Sequence, residues 1–110
     1  MDISIAKEYT LITSTEATFS DFFTAYNSAN LDSDISHKVV QLSENLNTTL
    51  QDLSLFLDIA NNHRSNGISF VVICSGIDID EIPDEINIVP TLTEAEDVLE
   101  MEAIERDLGF

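Results

Sequence analysis

Asn45, Asn47, Thr48, Thr49 and Gln51 crowd amide and hydroxyl side chains into one short stretch, and the residues on either side show what that stretch joins. Before it, Val39, Val40 and Leu42 form a short β-branched segment; after it, Leu50, Leu53, Phe56, Leu57 and Ala60 recur at helical spacing. The carboxyl end of a strand meeting the amino end of a helix is where open α/β sheets usually hold their ligands. Free backbone N–H groups and the positive end of the helix dipole favour an anion there, so Thr48 and Thr49 are the hydroxyls a kinase would modify. Glu44 and Asp52 oppose added negative charge at that point, and a plain helix cap explains the same residues.

Other chemistry is weakly encoded. His37 and His63 have no spaced histidine or cysteine partner of the kind a zinc site needs. Asp78, Asp80 and Glu81 outline a calcium loop, but the central glycine is missing and Pro83 intrudes. Gly67, Gly76 and Gly109 are too far apart for a phosphate-binding loop. No nucleophile with an adjacent base emerges, so the sequence points to no enzyme, no metal and no cofactor. It points instead to a binding surface made of Asn45, Asn47, Thr48, Thr49 and Gln51, with Asp78 and Asp80 from a neighbouring loop.

The elements that must position these groups follow from hydrophobic patterning. Tyr9 to Thr13 alternates, which predicts a half-buried strand near a sheet edge. Thr18 to Asn30 carries Phe19, Phe22, Phe23 and Tyr26 at helical spacing, and Asn30 to Ser36 reads as a polar connection. A helix is expected from about Thr48, capped by Thr48 with Gln51, to His63, with Asn66-Gly67 as its left-handed stop. Ile68 to Cys74 is apolar except for Ser69 and completes a buried parallel βαβ unit. Asp78 to Glu85 leaves little room for a helix, Ile86 to Val89 reads as a last strand, and Thr91 with Glu94, or Thr93 with Glu96, opens a final helix to about Leu108. Ala95, Val98, Leu99, Met101, Ile104 and Leu108 give that helix an imperfect apolar stripe.

At 110 residues the chain suits one domain. Its single cysteine, Cys74, lies in the apolar segment, where burial would make it inert, and a reducing cytoplasm fits. No leader-like or membrane-spanning run is expected. The charge of −17, from 21 acidic residues against Lys7, Lys38, Arg64 and Arg106, all but removes nucleic acid and anionic lipid as partners. Twelve of the acidic residues fall between Asp78 and Asp107, where Arg106 is the only cation. Like charges one helical turn apart cost about 0.2 to 0.5 kcal/mol per pair, so the distal half of the last helix must pack firmly or meet a partner.

The order of elements and the local text resemble the STAS domains of anti-sigma-factor antagonists and sulfate transporters. The carriers are His37-Lys38-Val39-Val40-Gln41-Leu42-Ser43, the helix start Asn47-Thr48-Thr49-Leu50, the strand Gly67-Ile68-Ser69-Phe70-Val71-Val72-Ile73-Cys74, and Pro90-Thr91-Leu92-Thr93-Glu94-Ala95. The resemblance implies an α/β fold, a small mixed or parallel sheet with helices on one face, no cofactor, and a regulatory role in binding an anti-sigma or kinase-like protein. In that family an aspartate, two hydroxyl residues and a glycine open the helix that is phosphorylated. Here Asn47 replaces the aspartate and Leu50 the glycine, so an intact phosphoswitch is not expected. The alternative to such a bacterial regulatory module is a homo-oligomeric structural subunit or adaptor of a cytoplasmic complex, built through the aromatic helix or the last one. A small-ligand site at Asn47 and Thr48 is a third reading.

Overall fold

Residues 1–6, 8–31, 36–77, 79–82 and 85–109 are described by the structure, a computed structural model. Five short segments pair into one sheet: β1 (Asp2–Ile5), β2 (Tyr9–Thr13), β3 (His37–Gln41), β4 (Phe70–Ile73) and β5 (Asn87–Val89), in the order β1-β2-β3-β4-β5. β1 runs antiparallel to β2 and the remaining pairs are parallel, so the sheet is mixed. α1 (Phe19–Ser28) connects β2 to β3, and α2 (Leu50–Ser54) with α3 (Leu57–Ser65) connects β3 to β4. A 3₁₀ turn at Ile79–Glu81 lies between β4 and β5, and α4 (Leu92–Asp107) follows β5.

This strand order decides where the helices go. Parallel crossovers share one hand, so connections that always step to the next strand in the same direction lie on the same face. Accordingly α1, α2 and α3 pack with Ile12, Val40, Phe70, Val72 and Ile88 in one cluster, joined by Ile86. Strand residues alternate faces, which leaves Val39, Val71 and Ile73 pointing the other way. α4 covers them with Ala95 and Leu99. The mixed α/β sheet is therefore as the sequence implies, whereas the helices divide between two faces instead of sharing one. Burial on both faces is why β4 reads as an unbroken apolar run.

The expected helix from Thr48 to His63 is broken. Its capping box is formed by Thr49 and Asp52, not by Thr48 and Gln51: Thr49 Oγ1 accepts from the Asp52 N–H, and the Asp52 carboxylate accepts from the Thr49 N–H, both at 3.1 Å. Ser54 Oγ then donates to the Gln51 carbonyl at 2.6 Å, while the Leu55 and Phe56 amides bond to Asp52 and Leu53 three residues back. This tightened turn separates α2 from α3. It also drives Phe56 inward, fully buried among Phe19, Phe23, Tyr26 and Phe70, with ring centroids 5.4 to 6.0 Å apart. Phe22 and Tyr26 are buried in the same core, and Phe23 packs against it partly buried.

The stop after α3 is as read from the sequence. Gly67 adopts φ +73°, its amide bonds to the Arg64 carbonyl at 3.1 Å, and the Ile68 amide bonds to the His63 carbonyl at 2.9 Å, the paired bonds of a Schellman motif. His63 is buried, its Nδ1–H donating to the Ile59 carbonyl at 2.8 Å and its ring 5.1 Å from that of Phe70. Lys38 is fully buried in β3, with Nζ donating to the Ser36 carbonyl. β1 is not among the strands the sequence reading places: Asp2-Ile3-Ser4-Ile5 alternates, but over four residues only, and all four are exposed. Ile77, Ile82 and Ile86 fill the first cluster from the irregular segment where a crossover helix would otherwise lie.

Because Phe56 bridges α1, the α2–α3 turn and β4, Phe56→Ala is expected to cost about 3 to 5 kcal/mol, read from denaturant unfolding. A loss below about 1 kcal/mol would mean that the rings around it are not the centre of the core.

Candidate functional site

The parallel ladder continues one residue past each strand at the carboxyl edge. Ser14 N donates to the Gln41 carbonyl at 3.0 Å, Leu42 N to Ile73 at 3.0 Å, and Cys74 N to Val89 at 2.9 Å. The loops leaving β2, β3 and β4 thus start from a stitched platform. Ser43 extends it: its amide donates to Ser14 Oγ at 2.8 Å, and its own Oγ accepts from the Asn45 amide at 3.2 Å, capping a 3₁₀ turn over Glu44–Leu46. Leu46 anchors that turn in the core. Asn47 ends it in the left-handed region, φ 49° and ψ 46°, a conformation that asparagine tolerates better than most side chains. Asparagine at this position thus has a backbone reason.

An open cleft of about 580 Å³ lies between the β3 and β4 loops, lined by Leu42, Ser43, Glu44, Asn47, Thr48, Cys74, Ser75 and Gly76. Ser75 Oγ donates to the Glu44 carboxylate at 3.1 Å across it. Asn47 and Thr48 come together here, as the sequence implied. Asn45 sits exposed on the preceding turn, Thr49 caps α2, Gln51 is exposed on the first turn of α2, and Asp80 lies on the 3₁₀ turn after β4. Asp78 lies outside the described residues. Since the strands step in one direction without reversal, the groove is not the switch-point crevice of a doubly wound sheet.

The two threonines differ. Thr48 Oγ1 is enclosed and has no hydrogen-bond partner among the described residues, whereas Thr49 is exposed and its Oγ1 is held by the capping box. A phosphate on Thr49 would face the Asp52 carboxylate that already reaches back to the Thr49 amide. Cys74, expected inside the apolar strand, lies just beyond β4 and is half-buried at the cleft. Burial pushes its thiol up, so it stays protonated near neutral pH and is a poor nucleophile. Ser43 and Ser75 carried no recognisable signal in the sequence, because each is recruited by a contact between distant loops.

A second polar cluster occupies the amino edge beneath the end of α4. Glu102 accepts from Ser69 Oγ at 2.5 Å and from Asn87 Nδ2 at 3.0 Å, and Arg106 Nη1 donates to Ser69 Oγ at 3.2 Å. The Ser69 amide donates to His37 Nδ1 at 2.9 Å. Burial lowers the His37 pKa, the nearby Arg106 cation adds to that, and the Glu102 carboxylate opposes it. Sequence reasoning passed over this cluster, although Ala95, Leu99, Glu102 and Arg106 share one face of α4 and Ser69 is the single polar residue of its apolar run. Its groups satisfy one another, and their evident work is to fasten α4 to the sheet. Among the described residues, no three His, Cys, Asp or Glu side chains converge as metal ligands, and no helix is long and apolar enough to cross a membrane.

Compared with known proteins, the chain matches no family model and no curated protein sequence.

Thr49→Ala removes the hydroxyl that accepts from the Asp52 amide, while the Thr49 amide keeps its bond to the Asp52 carboxylate, and is expected to cost about 1 kcal/mol of stability. Thr48→Val replaces an enclosed hydroxyl that has no partner and should be neutral or stabilising in the same unfolding measurement. The reverse ranking would show that Thr48 is the effective cap.

Acid should loosen the amino edge. Protonating His37 at Nδ1 abolishes the acceptor for the Ser69 amide, and its lowered pKa means that the unfolded chain takes the proton first. The contribution is therefore present above about pH 6.5 and is lost as the pH falls below it. Between pH 7.5 and pH 5, stability should fall more, or rise less, in the wild type than in His37→Asn. Parallel profiles would remove His37 from the account.

Proposed function

We propose that the chain is a non-enzymatic regulatory module of the bacterial cytoplasm that binds a partner protein through its carboxyl edge, in the manner that its resemblance to STAS domains implies. The observation that carries this reading is the groove between the β3 and β4 loops, where Ser43, Asn47 and Ser75 offer hydrogen-bonding side chains from a stitched strand edge. A preorganised edge of this kind loses little conformational entropy when a partner docks. Its chemistry suits recognition better than catalysis, because the thiol in it is protonated and the carboxylate among its described lining residues, Glu44, is exposed and already accepts from Ser75. Asp80, exposed on the 3₁₀ turn after β4, would add a carboxylate from the neighbouring loop.

The partner's matching face would be basic, since a charge of −17 steers cationic surfaces toward the chain, and the resemblance to STAS domains implies a partner of the anti-sigma or kinase-like class. The geometry of Thr48 and Thr49 supports binding without an obligatory phosphate, as one hydroxyl is enclosed and the other occupied in a cap.

A tagged pull-down from the source cytoplasm at low and high salt, with phosphopeptide mapping, tests the reading. The expected result is a partner whose recovery falls with salt, is lost in Asn45→Arg and Ser75→Arg, and requires no phosphate on Thr48. Undiminished recovery by both arginine variants would overturn the proposed surface.

A further inference from the structure

α4 is apolar on two opposite faces. Ala95 and Leu99 face the sheet and are buried, whereas Met101, Ile104 and Leu108 are 59, 52 and 67 % exposed. At spacing i, i+3 and i+7 these three line one stripe, and it lies on the side away from Leu99. The inward positions of the same turns are polar, since Glu102 and Arg106 reach down to Ser69. The distal half of the helix thus carries its apolar groups toward water and its polar groups toward the protein, the reverse of a helix whose work ends at its own core.

Carboxylates flank the stripe: Glu94 and Glu105 along one side, Glu100 and Asp107 along the other, and Asp97 at its head, all exposed. Arg106, the single cation of α4, is turned beneath the helix and engaged with Ser69, so it does not offset them. A second copy of this chain would bring an equally acidic stripe against the first, and three side chains fall well short of the roughly 800 Å² per partner that a stable dimer buries. An anionic membrane is disfavoured on the same charge grounds.

We infer that the Met101, Ile104 and Leu108 stripe is a docking surface for a basic partner protein, which receives the outer face of α4 in an apolar groove rimmed by lysine and arginine. The apolar contacts supply affinity and the acidic flanks orient the helix in the groove, as in other helix-in-groove recognition. The inference goes beyond the carboxyl-edge reading and stands independently of it, because it concerns a different surface and its test needs no natural partner.

The probe is a synthetic helical peptide with leucine at the a and d positions of successive heptads and lysine elsewhere, with a scrambled peptide of the same composition as control. Fluorescence anisotropy with the full chain should show the patterned peptide binding at least about 10-fold more tightly than the scrambled one. The double variant Ile104→Gln with Leu108→Gln should lose at least about 10-fold toward the patterned peptide while its Tm stays within about 2 °C, because both side chains are exposed. Amide shifts on binding should cluster between Asp97 and Leu108. Equal binding of the two peptides, or undiminished binding by the variant, would show only general attraction to an acidic surface and overturn the inference. Sedimentation of the wild type as a dimer that the double variant abolishes would assign the stripe to a second copy and overturn it equally.

Discussion

A parallel sheet whose strands are laid down in one direction closes only one of its faces as it is built, and the rest of this structure answers that constraint. Each crossover returns on the side already occupied by the previous one, so α1, α2 and α3 share a layer and the side chains of Val39, Val71 and Ile73 are left facing the opposite way. The element that covers them is α4, which follows β5. The helix is therefore bound to the sheet at its start by Ala95 and Leu99, and at its end it meets the polar amino edge, where Ser69, Asn87 and His37 need partners. Glu102 and Arg106 are directed inward by that need. The apolar residues of the last turns, having no sheet beneath them, are directed outward.

The first layer is held differently. Among the described residues its cluster holds fifteen buried side chains, against five in the layer under α4. Phe56 is its hub, and the break between α2 and α3 places it there: a continuous helix would distribute its apolar stripe evenly, whereas the tightened turn at Leu55 and Phe56 sends one ring between α1 and β4. The cost is a shorter α2, offset by the two-way cap of Thr49 and Asp52. The cap in turn sets the end of the loop that carries Asn47 and Thr48. The site geometry and the core geometry are thus two outcomes of the same local sequence.

What could be read in advance was what depends on neighbours in sequence. The βαβ unit, the strand at Tyr9, the aromatic helix, the Gly67 stop and the Thr91 start of α4 all follow from period, capping and turn chemistry, and all are present. β1 escaped because its alternation, Asp2-Ile3-Ser4-Ile5, covers only four residues and buries none of them. The cap moved by one residue because Thr48 and Thr49 are equivalent in sequence, and only the fold decides which hydroxyl faces the orphan amides. The division of helices between two faces depends on strand order, which no local pattern records. Asn47 and Thr48 were legible as parts of the cleft, but Ser75 and the Ser69–Glu102–Arg106 cluster arise from contacts across 31 to 37 residues. Local propensity is silent about these.

Electrostatics and topology bear on the same helix. Of the basic side chains among the described residues, Lys38 is buried and Arg106 holds Ser69 beneath α4, while Arg64, at the surface, donates to the Glu85 carbonyl at 2.9 Å. The outer surface is then more uniformly negative than the composition alone suggests, and α4 carries the densest part of it over the smaller of the two hydrophobic layers. Local opening free energies follow buried apolar contact, so α4, over the smaller cluster, is the layer expected to open before the α1–α3 side. A basic ligand on its outer face would relieve the repulsion along the helix and favour the closed layer by linkage. Docking there and closure of the second face would therefore reinforce one another, since the helix that meets the partner is the one that completes the fold.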